Sequence, residues 1–209
     1  MEDTKERILL TALHLFAQDG YEAVPVSRIA GELGMTKGAL YKHYKNKRDI
    51  FDSIVARMIQ IDAQRSQEYE VPQNKPEEEP QAYEHVSMES IRKFTAAQFS
   101  FWSEDAFASD FRKMLTLEQY RSAEMAELYR SCITSGPVAY MEDIFRHTIK
   151  KGILREADPR QLAVEFYAPL YLLVSISDGA ADKKEAAGLL EHHIERFMQR
   201  NAAGNCREE

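Results

Sequence analysis

The sequence predicts an all-α protein with a small N-terminal three-helix domain and a larger C-terminal helical domain. Apolar residues recur at three- and four-residue intervals along most of the 209 residues, as they do on the buried face of a helix. No segment shows the strict alternation of a half-buried strand. Glycine and proline, at 9 and 7, are scarce for this length. With 44% hydrophobic and 29% charged residues, the chain can form a real core and is not expected to be disordered.

Several features exclude other classes of protein. The longest apolar stretch, residues 162–176, has 15 residues and contains Glu165, whereas a membrane span needs about 20 apolar residues. The acidic start at residues 1–4 has neither the basic nor the apolar segment of a secretory signal. Cys132 and Cys206 are far apart and lack metal-type spacing, which is typical of a reducing compartment without disulfides. We therefore expect a cytoplasmic protein with no membrane partner.

Charge is unevenly distributed along the chain. The formal net charge is −7. Residues 1–60 contain 9 Lys or Arg and 8 Asp or Glu, whereas residues 61–209 contain 18 Lys or Arg and 26 Asp or Glu. A basic cluster with no acid inside it consists of Lys37, Lys42, Lys45, Lys47 and Arg48. One basic face on an acidic protein is expected where that face alone meets phosphate. The alternative is a solvated, lysine-rich helix end.

Three short helices are predicted in the first 46 residues. The first covers residues 4–18 and stops at Asp19-Gly20. Pro25 can open a second helix, which ends at Gly34, because proline pre-sets the φ of a first turn. Thr36 can then cap a third helix over residues 37–44.

Two short helices joined by a glycine-containing turn form a helix-turn-helix, whose second helix enters the major groove of DNA. Gly38 and Ala39 at its leading end are small enough to approach base edges, and Lys37 can reach a guanine acceptor or a phosphate. Leu40 and Tyr44 would point inward as anchors. The outward side chains, suited mainly to phosphate oxygens, are Tyr41, Lys42 and His43.

A long helix over residues 47–70 is predicted to connect the two domains. Asn46 can cap it, and its positive N-terminal end with Lys47 beside it forms a second anion site. Residues 1–46 then make the helix-turn-helix DNA-binding domain, and residues 71–209 the C-terminal domain.

Residues 34–47, Gly-Met-Thr-Lys-Gly-Ala-Leu-Tyr-Lys-His-Tyr-Lys-Asn-Lys, resemble the recognition-helix signature of the tetracycline-repressor (TetR) family of bacterial regulators. Residues 16–21 and Ile29-Ala30 fit the same family, and residues 158–163 are similar to the opening of one of its late helices. The resemblance is detailed over roughly the first 50 residues. It implies a DNA-binding head and a C-terminal domain for ligand binding and dimerisation.

The resemblance also implies roles for individual residues. The residues expected on the DNA backbone are Thr36, Tyr41 and His43, with Lys47 on a phosphate at the start of the next helix. The residues expected at bases or flanking phosphates are Lys37, Gly38, Ala39 and Lys42. Two positions depart from the family pattern. Val24-Pro25 replaces a frequent Ser or Thr phosphate anchor, and Tyr44 replaces a Phe and must find a partner for its hydroxyl.

A ligand pocket is predicted in the C-terminal domain, beyond a polar loop at residues 71–80. A helix over residues 83–102 has an apolar stripe that Thr95 and Gln98 interrupt, as polar groups do in an aromatic ligand site. The alternative is that both are satisfied within the core, and for any single aromatic residue core packing is the favoured role. The predicted lining residues are Phe94, Thr95, Gln98, Trp102, Phe111, Tyr120, Tyr140 and Tyr167. Their chemistry indicates an apolar or aromatic small-molecule effector.

The last two helices are predicted to form a homodimer interface. Asp158-Pro159 opens a helix that is apolar almost all round, which must therefore bury two faces, and Asp182 with Glu185 opens the last one. Two such helices pack with their two-fold mates as a four-helix bundle, and the resemblance implies the same dimer. The predicted interface residues are Phe166, Leu170, Leu173, Val174, Leu190, His193, Ile194 and Phe197.

These features predict a ligand-responsive transcription regulator, most simply a repressor. Its dimer would bind a near-palindromic operator in double-stranded DNA and be released by a small molecule, with the helix over residues 47–70 as the lever. An enzyme is not expected, because the sequence has no nucleophile elbow, phosphate-cradling glycine loop or metal-type histidine spacing, and no metal or cofactor is predicted. The alternative is a ligand-independent, dimeric protein-binding module.

Overall fold

A computed structural model describes residues 3–204, and Cys206 lies outside this range. Within it the chain forms eleven helices, with one isolated antiparallel bridge between Leu154 and Ala202 in place of any sheet. The helices are α1 (Thr4–Asp19), α2 (Val26–Glu32), α3 (Lys37–Leu40), α4 (Lys47–Glu68), α5 (Pro80–Glu84), α6 (Met88–Glu104), α7 (Ala106–Glu118), α8 (Ala123–Ile133), α9 (Ser135–Lys150), α10 (Pro159–Ile176) and α11 (Lys184–Asn201). The all-α prediction is confirmed.

The described residues group into two compact units. The first runs to Asp62 and includes Glu104–Arg130, and the second comprises Ala63–Ser103 and the residues from Ser131 onward. Helices α4 and α8 each continue from one unit into the other. The division predicted from the sequence assigns everything after residue 70 to the C-terminal domain. The structure instead groups α7 with α1–α3 in the first unit, because α7 packs along α1. The first unit is called the head below.

The head forms where its sequence signals predict. Asp3 caps α1 by accepting a hydrogen bond from the backbone NH of Lys5 at 3.1 Å. Gly20 ends α1 with a φ of 88°, which favours glycine. A Cβ at Gly20 would also lie 2.6 Å from a carboxylate oxygen of Glu118, so a larger residue would displace that side chain. The side chains with no exposed surface in this unit include Ile8, Phe16, Ile29, Leu40, Ile50, Ile54 and Phe111.

Two helix boundaries in the second unit depend on single residues. The predicted single helix over residues 83–102 is two helices, α5 and α6, because the hydroxyl of Ser87 caps a new helix by accepting from the NH of Ser90 at 3.0 Å. A second boundary lies at residues 135–137, which form the start of α9. Gly136 is required there, since a Cβ would lie 1.8 Å from the carbonyl oxygen of Ser131.

The core of the second unit is built from α9, α10 and α11. Asp158 caps α10 by accepting from the NH groups of Arg160 and Gln161, and Pro159 occupies the first turn, as predicted. At the centre, the ring of Phe166 lies 5.4 Å from that of Phe145 and 4.9 Å from that of Phe197, measured between centroids. Edge-to-face aromatic contacts of this kind stabilise a core beyond simple burial.

Residues 3–204 contain neither a membrane-spanning helix nor a cluster of metal ligands. None of the helices in this range is both long and apolar enough to span a bilayer. No group of three His, Cys, Asp or Glu side chains within it is placed to hold a metal ion.

Candidate nucleic-acid interface

The turn between α2 and α3 presents the recognition helix. Gly34 adopts a φ of 64°, and the NH of Met35 bonds back to the carbonyl of Ala30 at 2.9 Å. Thr36 then caps α3, its hydroxyl accepting from the NH of Ala39 at 3.2 Å. The predicted cap is therefore confirmed. Helix α3 ends at Leu40, and residues 41–43 continue as turns, so the helical part is shorter than the predicted 37–44.

Leu40 and Tyr44 anchor this segment, as predicted. Both side chains are buried, at 0% and 2% exposure. The hydroxyl that distinguishes Tyr44 from the family's usual Phe donates to the carbonyl of Lys5 at 3.2 Å. Burial, with the nearby charges of Asp49 and Asp3, raises the pKa of Tyr44 to about 12, so the group remains a hydrogen-bond donor at neutral pH. The departure from the family pattern is thus accommodated within the head.

The predicted DNA-contacting side chains share one exposed surface. The residues exposed there are Thr36, Lys37, Gly38, Tyr41, Lys42 and His43, with Ala39 half-buried beside them. The ammonium of Lys37 lies 5.6 Å from the ring centroid of Tyr41, which places the two groups together on the outer side of α3. A cationic and hydroxyl-bearing surface of this kind suits phosphate oxygens and base acceptors.

Gly38 is not required by the packing of the head. A Cβ built on it would meet no atom closer than the hydroxyl of Thr36 at 4.0 Å. The fold itself would therefore accept a larger residue here, and the close approach of Gly38 to a base edge stays a prediction.

Lys47 is less free than the sequence indicates. Its ammonium donates to the carbonyls of Tyr21 at 2.8 Å and Glu22 at 3.3 Å, and it lies 4.3 Å from the ring centroid of Tyr21. An ammonium has three donors, so these two bonds leave one for a phosphate. Asn46 does cap α4 as predicted, accepting from the NH of Asp49 at 2.9 Å.

Arg48, the fifth basic residue of the cluster, is held by carboxylates. Its guanidinium donates to Asp52 at 2.7 Å and to both carboxylate oxygens of Glu124 at 2.5 and 2.9 Å. These bonds raise the pKa of Arg48 and lower that of Glu124. Arg48 therefore ties α4 to α8 within the first unit, and the charge available at the α3 surface comes from Lys37, Lys42 and Lys45.

Glu118 is a residue of the head that sequence reasoning missed. Its buried carboxylate on α7 accepts from the NH of Tyr21 at 2.8 Å and from Arg121 at 3.1 Å. Nothing near Glu118 in the sequence indicates this contact, because its partner lies 97 residues earlier. The loop between α1 and α2 is thus held by Glu118 on one side and Lys47 on the other.

The predicted pocket residues do not form one group. Phe111 is fully buried in the first unit, and Tyr120, 88% exposed, lines no enclosed site, so both predictions need correction. Tyr120 is exposed because α7 ends at Glu118, which places it in the following turn. The other six lie in the second unit: Phe94, Thr95, Gln98, Trp102, Tyr140 and Tyr167.

The polar members of this group differ in their hydrogen bonding. The hydroxyl of Thr95 donates to the carbonyl of Ile91 at 2.8 Å, so it is satisfied within α6. The hydroxyl of Tyr167 donates to the carbonyl of Ile133 at 2.7 Å. The Oε1 atom of Gln98, by contrast, is buried without a hydrogen-bond partner among the described residues. Of the two polar residues on the predicted stripe, Thr95 has used its one donor, whereas Gln98 has a buried polar atom without a partner among the described residues.

The predicted dimer residues lie on the inner rather than the outer face of their helices, which corrects that prediction. Seven of the eight are buried in the core of their own unit: Phe166, Leu170, Leu173, Val174, Leu190, Ile194 and Phe197. The eighth, His193, is half-buried, and its Nε2 donates to the carbonyl of Phe166 at 3.2 Å. Burial lowers the pKa of His193. The exposed faces of α10 and α11 carry a different apolar set: Val164, Tyr171, Leu172, Ile176 and Leu189.

The head matches a known family. Residues 8–54 match the model described as bacterial regulatory proteins, tetR family. The chain is 25% identical over 202 residues to the HTH-type transcriptional regulator YhgD of Bacillus subtilis, covering 95% of this chain and 98% of YhgD. It is 47% identical over 47 residues to YerO of the same organism, covering 22% of this chain and 16% of YerO. It is also 42% identical over 55 residues to the repressor BepR of Brucella suis, covering 26% of each.

Solved structures share the whole fold at lower identity. SmeT, the repressor of the Stenotrophomonas maltophilia multidrug efflux pump SmeDEF, has a TM-score of 0.62 and 23% identity, covering 98% of this chain and 93% of SmeT. A SmeT-triclosan complex has a TM-score of 0.67 and 22% identity, covering 97% of this chain and 93% of the SmeT chain. PfmR of Thermus thermophilus has a TM-score of 0.65 and 19% identity, covering 95% of this chain and 97% of PfmR. The family model thus matches residues 8–54, and the similarity of fold extends over both units.

Proposed function

From its membership of the TetR family of bacterial transcriptional regulators, we propose that this chain is a dimeric repressor released from its operator by a small molecule. The observation that carries the proposal is the α3 surface. Small residues and lysines lie exposed there on a segment that two buried side chains hold in place. Relatives of this chain are transcription regulators, and no enzymatic activity is proposed. We place its action in the cytoplasm, where bacterial DNA is found.

The distribution of paired charge in the head supports DNA binding at this surface. Arg28 forms an ion pair with Asp19 at 2.6 Å, Arg57 pairs with Glu6, and Arg48 is held by two carboxylates. Lys37, Lys42 and Lys45, around α3, form no such ion pair among the described residues. Their charge therefore remains available beside the recognition helix, where phosphates would neutralise it.

Dimerisation would use the exposed apolar faces of α10 and α11. Leu172 on α10 and Leu189 on α11 are 57% and 55% exposed, and α10 also exposes Val164, Tyr171 and Ile176, so the two helices together present an apolar surface. Gly188, beside Leu189, has no atom within 4 Å of where a Cβ would be, so a partner helix can approach closely there. A two-fold axis through these faces would bury them and place two recognition helices on one near-palindromic operator.

Release requires that the ligand bind the DNA-incompetent conformation more tightly than the DNA-bound one. Helix α4 is the proposed lever, because its first residues belong to the unit that carries α3 and its last residues to the other. In the head, α4 is fixed by buried Phe51 and Met58, and its Arg57 lies 4.7 Å from the ring centroid of Phe107 on α7. A displacement of α4 would therefore act on the contacts that position α1 and α7.

The test is selection of bound sequences from a random duplex pool by the full-length protein at two salt concentrations. We expect enrichment of a near-palindrome that is lost in the Lys37→Ala/Tyr41→Ala variant. A matched control, Lys93→Ala/Tyr120→Ala, removes the same side-chain types from sites outside the α3 surface and should keep the enrichment. Failure to enrich any sequence at either salt would favour the protein-binding module instead.

A further inference from the structure

Arg65, near the end of α4 in the second unit, is a cation without a carboxylate partner among the described residues. Its Nη2 donates to the carbonyl oxygen of Ala97 at 2.9 Å. The guanidinium carbon lies 4.3 Å from the ring centroid of Phe101 and 5.7 Å from that of Tyr69. The Nε atom is buried and has no hydrogen-bond partner in this part of the chain. The ion pairs within residues 3–204 therefore leave this guanidinium uncompensated.

Such an arrangement is costly unless something else completes it. A guanidinium stays charged at any pH that a cell reaches, and although Arg65 as a whole is half-buried, its buried Nε–H needs a hydrogen-bond acceptor. The two aromatic rings offset part of this cost. Arg92 on α6 in the same unit shows the usual solution, because it pairs with Glu89 at 2.7 Å and with Glu191 at 2.8 Å. Within the described range, Arg92 has two carboxylates and Arg65 has none.

A second unsatisfied group lies on the α6 segment that Arg65 contacts. Gln98 is adjacent to Ala97, and it shares a helix face with Phe94 and Phe101, which are four residues before it and three after it. Its buried Oε1 has no hydrogen-bond partner among residues 3–204. An amide can rotate to offer either its oxygen or its NH₂ group, so Gln98 can donate to an acceptor placed beside it.

Further aromatic rings extend the group of side chains that contains Arg65 and Gln98. The ring of Phe94 lies 6.0 Å from that of Tyr69 and 6.3 Å from that of Tyr140, measured between centroids. The second unit therefore combines an uncompensated cation, an unsatisfied amide and a group of aromatic side chains on α6, on α9 and in the turn that follows α4. These are the parts of a site for a molecule with an anionic end and an apolar body.

We propose that Arg65 and Gln98 form the polar end of the effector site, and that the effector is an amphiphilic monocarboxylate. Its carboxylate would accept hydrogen bonds from the Nε–H of Arg65 and from the amide of Gln98. Its alkyl or aryl body would lie against Phe94, Phe101 and Tyr69. This inference rests on the proposed release by a small molecule and adds the chemical class of that molecule.

The chain contains its own reporter for the test. Trp102 is the only tryptophan, and its ring centroid lies 5.2 Å from that of Phe101, which covers Arg65. Full-length protein would be titrated with decanoate and with 4-phenylbutyrate, and with the neutral 1-decanol and 4-phenylbutanol. Tryptophan fluorescence would give the dissociation constants, with calorimetry as a second measurement. We expect each acid to bind at least about tenfold more tightly than its alcohol, since hydrogen bonds to charged groups are strong.

Variants assign the preference to the named residues. Arg65→Gln should weaken binding of both acids by about tenfold to a hundredfold and leave the alcohols nearly unchanged. Arg92→Gln makes the same change of charge at a paired arginine and should leave all four constants unchanged. Thermal unfolding of each variant shows whether it is folded. If Arg65→Gln does not fold, the test uses Gln98→Leu, which leaves Arg65 in place. This variant should weaken binding of both acids about threefold or more.

Three results would overturn the inference: alcohols that bind as tightly as the acids, an Arg65→Gln variant that keeps full affinity for the acids, or no binding of any of the four probes. DNA binding without ligand, measured by selection from the random duplex pool, is independent of these outcomes. A protein that enriches an operator but fails the acid test remains a regulator with a different effector. A protein that enriches no operator contradicts the proposed function itself.

Discussion

Replacing Gly38 with alanine should stabilise the protein and weaken DNA binding at the same time. Glycine within a helix is less favourable than alanine by up to about 1 kcal/mol. The new methyl would meet nothing closer than 4.0 Å inside the chain, so no steric cost offsets this gain. For a chain of this size, 1 kcal/mol corresponds to a rise in Tm of about 2–4 °C. The same methyl would project from the leading end of α3, where overpacking against a base edge typically costs about 1–3 kcal/mol.

The assay compares Gly38→Ala with Gly31→Ala by thermal unfolding and by fluorescence anisotropy on the selected operator. Gly31 is a suitable control because it is also helical and exposed, lies on α2, and has no atom within 4 Å of the position that a Cβ would take. Both variants should be at least as stable as the parent, whereas only Gly38→Ala should lose about fivefold or more in operator affinity. A Gly38→Ala protein that binds the operator with full affinity would refute a close approach of α3 to the bases at this residue.

Three further outcomes test other parts of the structure. Leu172→Glu with Leu189→Glu should shift the protein from dimer to monomer in analytical ultracentrifugation, whereas Gln161→Glu on an exposed polar site of α10 should not. Glu118→Ala should lower the free energy of unfolding by about 1–3 kcal/mol in urea titrations, because it leaves a buried backbone NH without a partner; an unchanged midpoint would contradict this role. The pKa of Tyr44 is raised from 10 to about 12, so its contribution to stability is complete below pH 10 and falls as pH rises towards 12. Tyr44→Phe should therefore lose about 1 kcal/mol at neutral pH and show a shallower decline of stability between pH 10 and 12.

Local signals in the sequence predict the head well. Thr36 and Asn46 cap their helices as expected, and Leu40 and Tyr44 are buried as expected. Each of these features depends on residues within a few positions of one another, so spacing and side-chain chemistry are sufficient to find them. Lys47 is harder to predict, because the carbonyls it binds precede it by 25 and 26 residues.

The second unit is predicted less well because periodicity identifies an apolar face without saying what covers it. The most apolar faces of α10 and α11 include Phe166 and Phe197. From the sequence they are predicted to form a dimer interface, whereas in the structure they form the core of the unit itself. The expectation that α10 has two apolar faces is sound, but the stronger face packs within the chain and the weaker one stays exposed. Phe111 is misplaced for a related reason, since the packing of α7 along α1 joins segments about 90 residues apart that no local pattern connects.

The salt dependence of operator binding will show whether Lys47 contacts DNA. Lys37, Lys42 and Lys45 from two heads would neutralise about six phosphates, which predicts a slope of log affinity against log salt of about −5. If Lys47 also bound phosphate, about eight would be neutralised and the slope would be about −7. The carbonyls of Tyr21 and Glu22 already bind two of the three donors of its ammonium, and the Glu22 carboxylate lies 4.0 Å away, so we expect the smaller value, unchanged in Lys47→Met. A slope near −7 that falls to about −5 in Lys47→Met would instead mean that DNA draws this ammonium away from the α1–α2 loop.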